Sequence, residues 1–184
     1  MTRRPLDAYY TPDALASALV GTLAGTHGLR GSVLEPHAGD GAFVRALEAL
    51  GLTVCPLDID PDAKGIDHPN GVVGDFLEYE LPTSSPDWIV GNPPFSQAEQ
   101  HIRHALKTAR VGVAFLLRLA MLESGKRVQF WAEHPASAVY VLAQRPSFTG
   151  GGTDSAAYAL FVWDQLDNPY RNYRPTTLDV LSWR

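Results

Sequence analysis

The stretch Asp87-Trp88-Ile89-Val90-Gly91-Asn92-Pro93-Pro94-Phe95 joins an apolar run to a stiff turn that carries an amide and an aromatic ring. The run reads as a strand buried on both faces, the habit of a parallel sheet covered by helices. In an open sheet of that kind, ligands bind beyond the carboxyl ends of the strands. Asn92-Pro93-Pro94-Phe95 therefore stands where chemistry is expected. Its two prolines lack N–H donors and have a fixed φ, so the carbonyls of Asn92 and Pro93 have few directions open to them. An amide oxygen beside a held carbonyl can accept both hydrogens of an exocyclic amine. The phenyl ring of Phe95 can then lie on the plane that carries that amine. Without context, the same turn also serves to cap a core phenylalanine.

Outward from this strand, strands and helices alternate. Thr11-Pro12-Asp13 predicts a helix over 12–26, with Thr11 as N-cap and Pro12 at the first helical position. Residues 32–36 read as a short strand, and Gly39-Asp40-Gly41 turns into a helix over 41–50 that ends before Gly51. Further strands are predicted at 53–57, 72–73 and 88–90. A helix over 96–109 takes Ser96 as its N-cap. A fully apolar strand follows at 111–117, a helix at 124–134, and the last two strands at 138–143 and 156–163. The glycines at 150–152 between those two suit an antiparallel hairpin at one edge. The tail, 164–184, carries no strong pattern. Alternation of this kind predicts a mostly parallel sheet of roughly seven strands with helices on both faces, in a single domain over 1–184.

Composition narrows the classes. The chain of 184 residues is long enough for one domain with a real core and short for two. Apolar residues make up 45% and charged residues 19%, a globular rather than a disordered composition. No run approaches the length of a membrane span, and no basic-then-apolar leader opens the chain. Cys55 is the single cysteine, which excludes an internal disulfide and fits a cytoplasmic protein. His27, His37, His68, His101, His104 and His134 show no metal-ligand spacing, so no metal is expected. The net charge of −5 means that a nucleic-acid partner has to be met by basic residues clustered against the average.

The segment Val33-Leu34-Glu35-Pro36-His37-Ala38-Gly39-Asp40-Gly41 is a strand, a tight turn and a helix start. Gly39 and Gly41 permit positive φ and close approach of a ligand. It is not the dinucleotide fingerprint. Glu35 is the informative difference, because a carboxylate here repels a pyrophosphate and suits a cationic ligand. About twenty residues on, Asp58 ends the second strand, where an acid accepts hydrogen bonds from ribose hydroxyls. Asp60 is its rival, or else a turn former. Gly74-Asp75-Phe76 ends the third strand, with a plain turn as the alternative role of Asp75.

Taken in order, these segments resemble the S-adenosylmethionine-dependent N6-adenine methyltransferases of the Asn-Pro-Pro-Phe type. The block Arg145-Pro146-Ser147-Phe148, with Asp154 and residues 158–163, is similar to small phage-type members. The likeness runs over residues 9–163. It implies a Rossmann-like class I methyltransferase fold, α/β, with S-adenosyl-L-methionine as cofactor. The ammonium and sulfonium of that cofactor suit Glu35. The loop residues Glu35, Pro36, His37, Ala38, Gly39 and Gly41 would hold its amino-acid end, and Asp58 its ribose. Ile59 would lie against its adenine, Asp75 would take the adenine amine, and Phe76 would pack on that ring. Tyr9-Tyr10-Thr11-Pro12 resembles the segment that closes over the methionine end, so Tyr10, Thr11 and Pro12 join the cofactor set.

On the substrate side the likeness implies that Asn92, Pro93, Pro94 and Phe95 are catalytic, with Asn92 also touching the cofactor. An adenine amine is a poor nucleophile because its lone pair is delocalised into the ring. Hydrogen bonds to the Asn92 side-chain oxygen and the Pro93 carbonyl would localise that pair, and the rate would come from orientation and preorganised dipoles. Phe95 would stack on the base. Phe148 would cover its other face, on a base that is flipped out or already single-stranded. The alternative for Phe148 is a hydrophobic plug under the loop 150–155. Arg145 would hold a phosphate, with Arg118, Lys126 and Arg127 as further donors. DNA is the expected partner, ahead of RNA. The rivals are an RNA adenine enzyme, a protein glutamine enzyme and an inactive cofactor-binding module. Sequence-specific DNA enzymes usually carry a separate recognition domain. The length here leaves no room for one, which predicts loosely defined target contexts.

Overall fold

The computed structural model describes residues 10–80, 84–148, 155–164 and 176–183. Eight strands form one sheet: β1 (Ser32–Glu35), β2 (Thr53–Asp58), β3 (Val72–Val73), β4 (Trp88–Gly91), β5 (Gly112–Arg118), β6 (Ala138–Leu142), β7 (Tyr158–Trp163) and β8 (Thr177–Leu181). Four α-helices accompany them: α1 (Asp13–His27), α2 (Ala42–Glu48), α3 (Ala98–Thr108) and α4 (Val128–Glu133). The strand order is β3-β2-β1-β4-β5-β7-β6-β8. The first five are parallel, β7 is antiparallel to both β5 and β6, and β8 runs parallel to β6. The carboxyl ends of β1, β2, β4, β5 and β6 thus share one edge. The order reverses between β1 and β4, the switch point at which an open α/β sheet leaves a crevice.

Period-two alternation explains how the sheet fills both layers. Val33, Trp88, Val90, Ala114 and Leu116 point into a core shared with Leu15, Leu19 and Leu23 of α1 and Phe43 and Leu47 of α2. Leu34, Ile89, Val113, Phe115 and Leu117 point the other way, against Ile102 and Ala105 of α3 and Phe130 of α4. Neighbouring residues of a strand serve opposite cores, which is why these strands read as continuous apolar runs. Gly28 closes α1 in the left-handed conformation (φ 64°), with its N–H on the Leu23 carbonyl.

Several element ends differ from the sequence reading. Pro12, not Thr11, caps α1, and no side chain caps it. The Thr11 hydroxyl turns to Asn92 instead. The helix expected over 96–109 opens as a 3-10 turn, Phe95–Gln97, before α3. The one expected over 124–134 is a 3-10 turn, Gly125–Arg127, followed by the short α4, although Ser124 does cap that turn by accepting the Lys126 N–H. The tail supplies β8, an eighth strand beyond the seven expected. Its alternation, Thr177-Leu178-Asp179-Val180, is short, and its apolar side chains stay exposed instead of marking a core face. The antiparallel pair β6–β7 matches expectation, and the glycines at 150–152 lie outside the described residues.

Gly112 faces Trp88 across the β4–β5 pair, and a Cβ there would enter the indole ring. Trp88 is fully buried and has no room to withdraw. Gly112→Ala is therefore expected to lower the stability by about 1–3 kcal/mol, the usual cost of overpacking a core. An unchanged denaturant midpoint would show that the β4–β5 pair can open without cost.

Candidate active site

The loop after β1 is held by the end of β2. The Gly39 N–H donates to Asp58 Oδ2 (2.8 Å), and the Asp60 N–H donates to Asp58 Oδ1 (2.9 Å). The Ala38 N–H donates to the Leu57 carbonyl at 3.0 Å. Asp58 thus braces the loop, and its carboxylate oxygens have further lone pairs for hydroxyl donors. Asp60 accepts the Asp62 N–H at 3.0 Å and is a turn former. Gly39 (φ 51°) and Gly41 (φ 87°) both need the left-handed region. Gly65 closes the loop from outside, donating its N–H to the Gly39 carbonyl at 2.8 Å. A side chain at Gly65 would strike the Ala38 backbone. No local pattern around residues 63–66 marks that role, because it arises from a neighbour some 25 residues away in the chain.

Beside the loop, the Tyr10 ring lies on Gly39: a Cβ there would come within 3.1 Å of Tyr10 Cδ1. Thr11 is buried and accepts a hydrogen bond from Asn92 Nδ2 at 3.2 Å. The segment Tyr10-Thr11-Pro12 therefore links the β1 loop to the end of β4, while Tyr9 lies outside the described residues. Ile59 follows Asp58 with 51% of its surface exposed, an apolar face next to that acid.

Glu35 ends β1 and is buried. Its Oε1 accepts the His37 N–H at 3.0 Å. A Cβ at Gly91 would run into this carboxylate and into the His37 ring, so the end of β4 has to be glycine. Burial holds the Glu35 carboxyl well above the usual carboxylate range against the pull of the His37 N–H, and the charge of Asp58 adds to the rise. A cation brought to this spot would reverse that shift.

Across the switch point stands Asn92-Pro93-Pro94-Phe95. Pro93 is buried, and Pro94 is extended (φ −57°, ψ 121°). The Phe95 ring meets Tyr158 at 5.5 Å between centroids, and the Arg118 guanidinium lies over it at 4.7 Å. Phe148 does not cover the other side of this space. It is 6% exposed and set edge-on against Tyr158 at 4.9 Å, which leaves its ring little face for a base, while residues 149–154 of the loop it was expected to plug lie outside the described residues. Tyr158 stands between the two phenylalanines. Arg145 is exposed at the same sheet edge, beyond β6, and Lys126 is exposed beyond β5. Arg127 is turned toward the Ala120 carbonyl (3.4 Å) and Glu99 (4.0 Å). Asp154 lies outside the described residues.

No family model matches the chain. It is 36% identical over 116 residues to the Type II methyltransferase M.TthHB8I of Thermus thermophilus, a stretch covering 58% of this chain and 26% of that protein. It is 34% identical over 92 residues to the Type II methyltransferase M.HincII of Haemophilus influenzae, covering 49% and 17%. The matches thus span about a quarter or less of the length of these curated relatives. The backbone matches a candidate class I S-adenosylmethionine-dependent methyltransferase from Listeria monocytogenes with a TM-score of 0.71, over 97% of this chain and 67% of that one, at 13% identity. The M protein of the Type I restriction enzyme EcoKI gives a TM-score of 0.66 over 96% and 50%, at 15% identity. The fold is that of the class I methyltransferases.

Within this methyltransferase fold, the third strand departs from expectation. Asp75 accepts the Leu77 N–H at 2.9 Å in a turn, and Phe76 is not open to a cofactor ring. Phe76 is buried among imidazoles, 5.9 Å from His37, 5.7 Å from His101 and 4.7 Å from His104. His37 Nε2 and His101 Nδ1 share a hydrogen bond of 2.8 Å. No local pattern marks this cluster, because its members come from the β1 loop, α3 and the turn after β3. Among the described residues, no group of three or more His, Cys, Asp or Glu is placed to hold a metal ion.

Burial holds all three imidazoles below their ordinary value, and His101 falls to about 4 despite the opposing charge of Asp75. Between about 4 and 6.5 the folded state therefore binds fewer protons than the unfolded chain, and stability falls as pH falls through that window. For His101 alone the shift corresponds to roughly 3 kcal/mol. Glu35 acts in the opposite sense, since its raised folded value favours folding as pH falls toward 4.5. The three imidazoles titrate in this window, so their contribution lowers the denaturant midpoint between pH 7 and pH 5. His101→Phe should flatten the drop. A flat wild-type profile would contradict this account.

Proposed function

We propose that the protein transfers a methyl group from S-adenosylmethionine to the exocyclic amine of adenine in DNA, on a base that is flipped out or already single-stranded. One observation carries the reading. Asn92-Pro93-Pro94-Phe95 ends β4 directly beside Glu35 at the end of β1, at the switch point of the sheet. The likeness to Type II methyltransferases supports it.

The residues suit the cofactor by chemistry. A buried carboxylate whose charge is disfavoured by its surroundings gains most from a cation, and Glu35 is such a group. Around Gly39 and Gly41 the backbone can come close to the amino-acid end. Asp58, already fixed by two N–H donors, offers charged acceptors to ribose hydroxyls at little ordering cost. The exposed face of Ile59 supplies a surface for a flat ring. Asp75 is the acceptor for its amine, and Phe76 holds the turn behind Asp75. When bound, S-adenosylmethionine supplies an electrophilic methyl on a sulfonium.

On the substrate side, the bond from Asn92 Nδ2 to Thr11 distinguishes the two ends of the amide and makes Oδ1 the acceptor for the amine. The Pro93 carbonyl accepts its second hydrogen. The amine lone pair would then be directed out of the ring plane. S-adenosylmethionine would supply the methyl and keep the S–C bonding pair, and the amine proton would pass to solvent. No strong base is required, and most of the acceleration is orientation and dipole preorganisation.

Asn92→Ala should keep the fold and the cofactor affinity while lowering methyl transfer about 10²–10³-fold, the usual loss for one preorganised polar contact. Transfer of tritiated methyl from S-adenosylmethionine to separate DNA, RNA and protein pools is the measurement. Label in the protein pool alone would overturn the reading, and label in RNA alone would move it to an RNA enzyme.

Asp58→Ala removes the brace of the loop together with the ribose acceptor. A hydrogen bond to a charged group is worth roughly 1.5–3 kcal/mol, so cofactor affinity by calorimetry should fall at least tenfold. Unchanged affinity would take the ribose role away from Asp58.

A further inference from the structure

A base laid on Phe95 needs a second surface, and the aromatic residue expected to supply it is used elsewhere. Phe148 is buried against Tyr158. Tyr158 is itself fully buried and packs beside Phe95 with its ring tilted by 50°. One group does lie over the Phe95 ring: the Arg118 guanidinium, with Cζ 4.7 Å from the ring centroid. Its position follows from the fold. Arg118 ends β5, the strand paired with β4, and both carboxyl ends open on the same edge. Across the sheet, Arg118 is in register with Tyr158, and its Nε lies 3.4 Å from the Tyr158 hydroxyl.

We propose that Arg118 is the second stacking surface of the base slot, its planar guanidinium covering the face of the target adenine turned away from Phe95. The assignment rests on the adenine methyltransferase reading above. A guanidinium stacks on aromatic faces, is weakly hydrated for a cation, and stays charged at every working pH. A base between guanidinium and phenyl needs about 7 Å, twice the rise of stacked bases. The present 4.7 Å is a closed slot, and a shift of roughly 2 Å by a long, multiply rotatable side chain opens it. In the closed form Arg118 keeps Phe95 covered. In the open form the same cation–π attraction passes through an electron-rich purine. A stack on both faces reads the plane of the base and not its neighbours.

Three variants separate this role from its rivals: Arg118→Ala, which removes the surface; Arg118→Lys, which keeps the charge without the plane; and Arg118→Phe, which keeps a plane without the charge. The substrate is single-stranded adenine-containing oligonucleotide, with S-adenosylhomocysteine affinity and thermal unfolding measured on each variant. Loss of one stacking surface predicts that Arg118→Ala raises KM for oligonucleotide about tenfold, more than it lowers kcat. Arg118→Lys should be equally impaired, Arg118→Phe should recover most of the loss, and the affinity for S-adenosylhomocysteine should stay that of the wild type. Recovery by Arg118→Lys would make the residue a phosphate contact and overturn the proposal. A lower KM in Arg118→Ala would make it an occluding plug, and an unchanged KM would make it packing for Tyr158. Either result overturns the proposal while wild-type methylation of adenine still stands. A wild type that methylates no adenine overturns the underlying reading, and this assignment with it.

Discussion

Glu35 closes β1 with its carboxyl group out of water, and much of the surrounding chain answers to that burial. A buried carboxylate is costly unless it is protonated, hydrogen-bonded or met by a cation. The His37 N–H supplies one hydrogen bond. The room for the carboxyl group comes from Gly91, whose missing side chain leaves the end of β4 open to it. Since β1 and β4 are the strands between which the order reverses, this one accommodation shapes the floor of the crevice. Asn92-Pro93-Pro94-Phe95 starts at the next residue. The two halves of the site are thus joined by a steric condition at a single glycine.

Rigidity is distributed unevenly around that floor. The β1 loop, proposed to hold the cofactor, is tied from three directions: by Asp58, by Gly65 and by the Tyr10 ring. In the turn proposed to hold the substrate, the proline pair is stiff by covalent structure, and the Asn92 amide is oriented by Thr11. Phe95, by contrast, meets a buried tyrosine and a long cationic side chain.

The histidines beneath the loop form a second layer. His37 belongs to the β1 loop itself, and its ring leans on Phe76, His101 and Phe115. Neutral imidazoles can share hydrogen bonds in a confined space where charged ones would repel. Their burial couples the stability of the loop to pH, and it fills the place behind Asp75 with aromatic surface.

Much of the architecture was legible in the chain because it rests on short-range patterns. Continuous apolar runs at β1, β4 and β5 require burial on both faces. The Pro-Pro pair is stiff wherever it stands, and Gly39 and Gly41 fit the positive φ of the loop in any setting. Those features determine the strand–helix alternation, the parallel sheet and the location of the β1 loop and the 92–95 turn at strand ends. Other features depend on partners distant in sequence. Thr11 looks like a helix cap until the fold brings Asn92 within hydrogen-bond reach. Phe76 and Phe148 look like stacking surfaces until imidazoles and Tyr158 take up their rings. Gly65 carries no local signature at all, and Arg118 looks like a phosphate donor until β5 brings it over Phe95. β8 escapes notice because its short alternation of Leu178 and Val180 faces no core, and pairing with β6 is what makes it a strand. Local stereochemistry and burial pattern were settled by the sequence itself. Which side of each ring and which lone pair of each acceptor stays available was decided only in the tertiary structure, because packing and hydrogen bonding are exclusive and a surface used by one neighbour is lost to another.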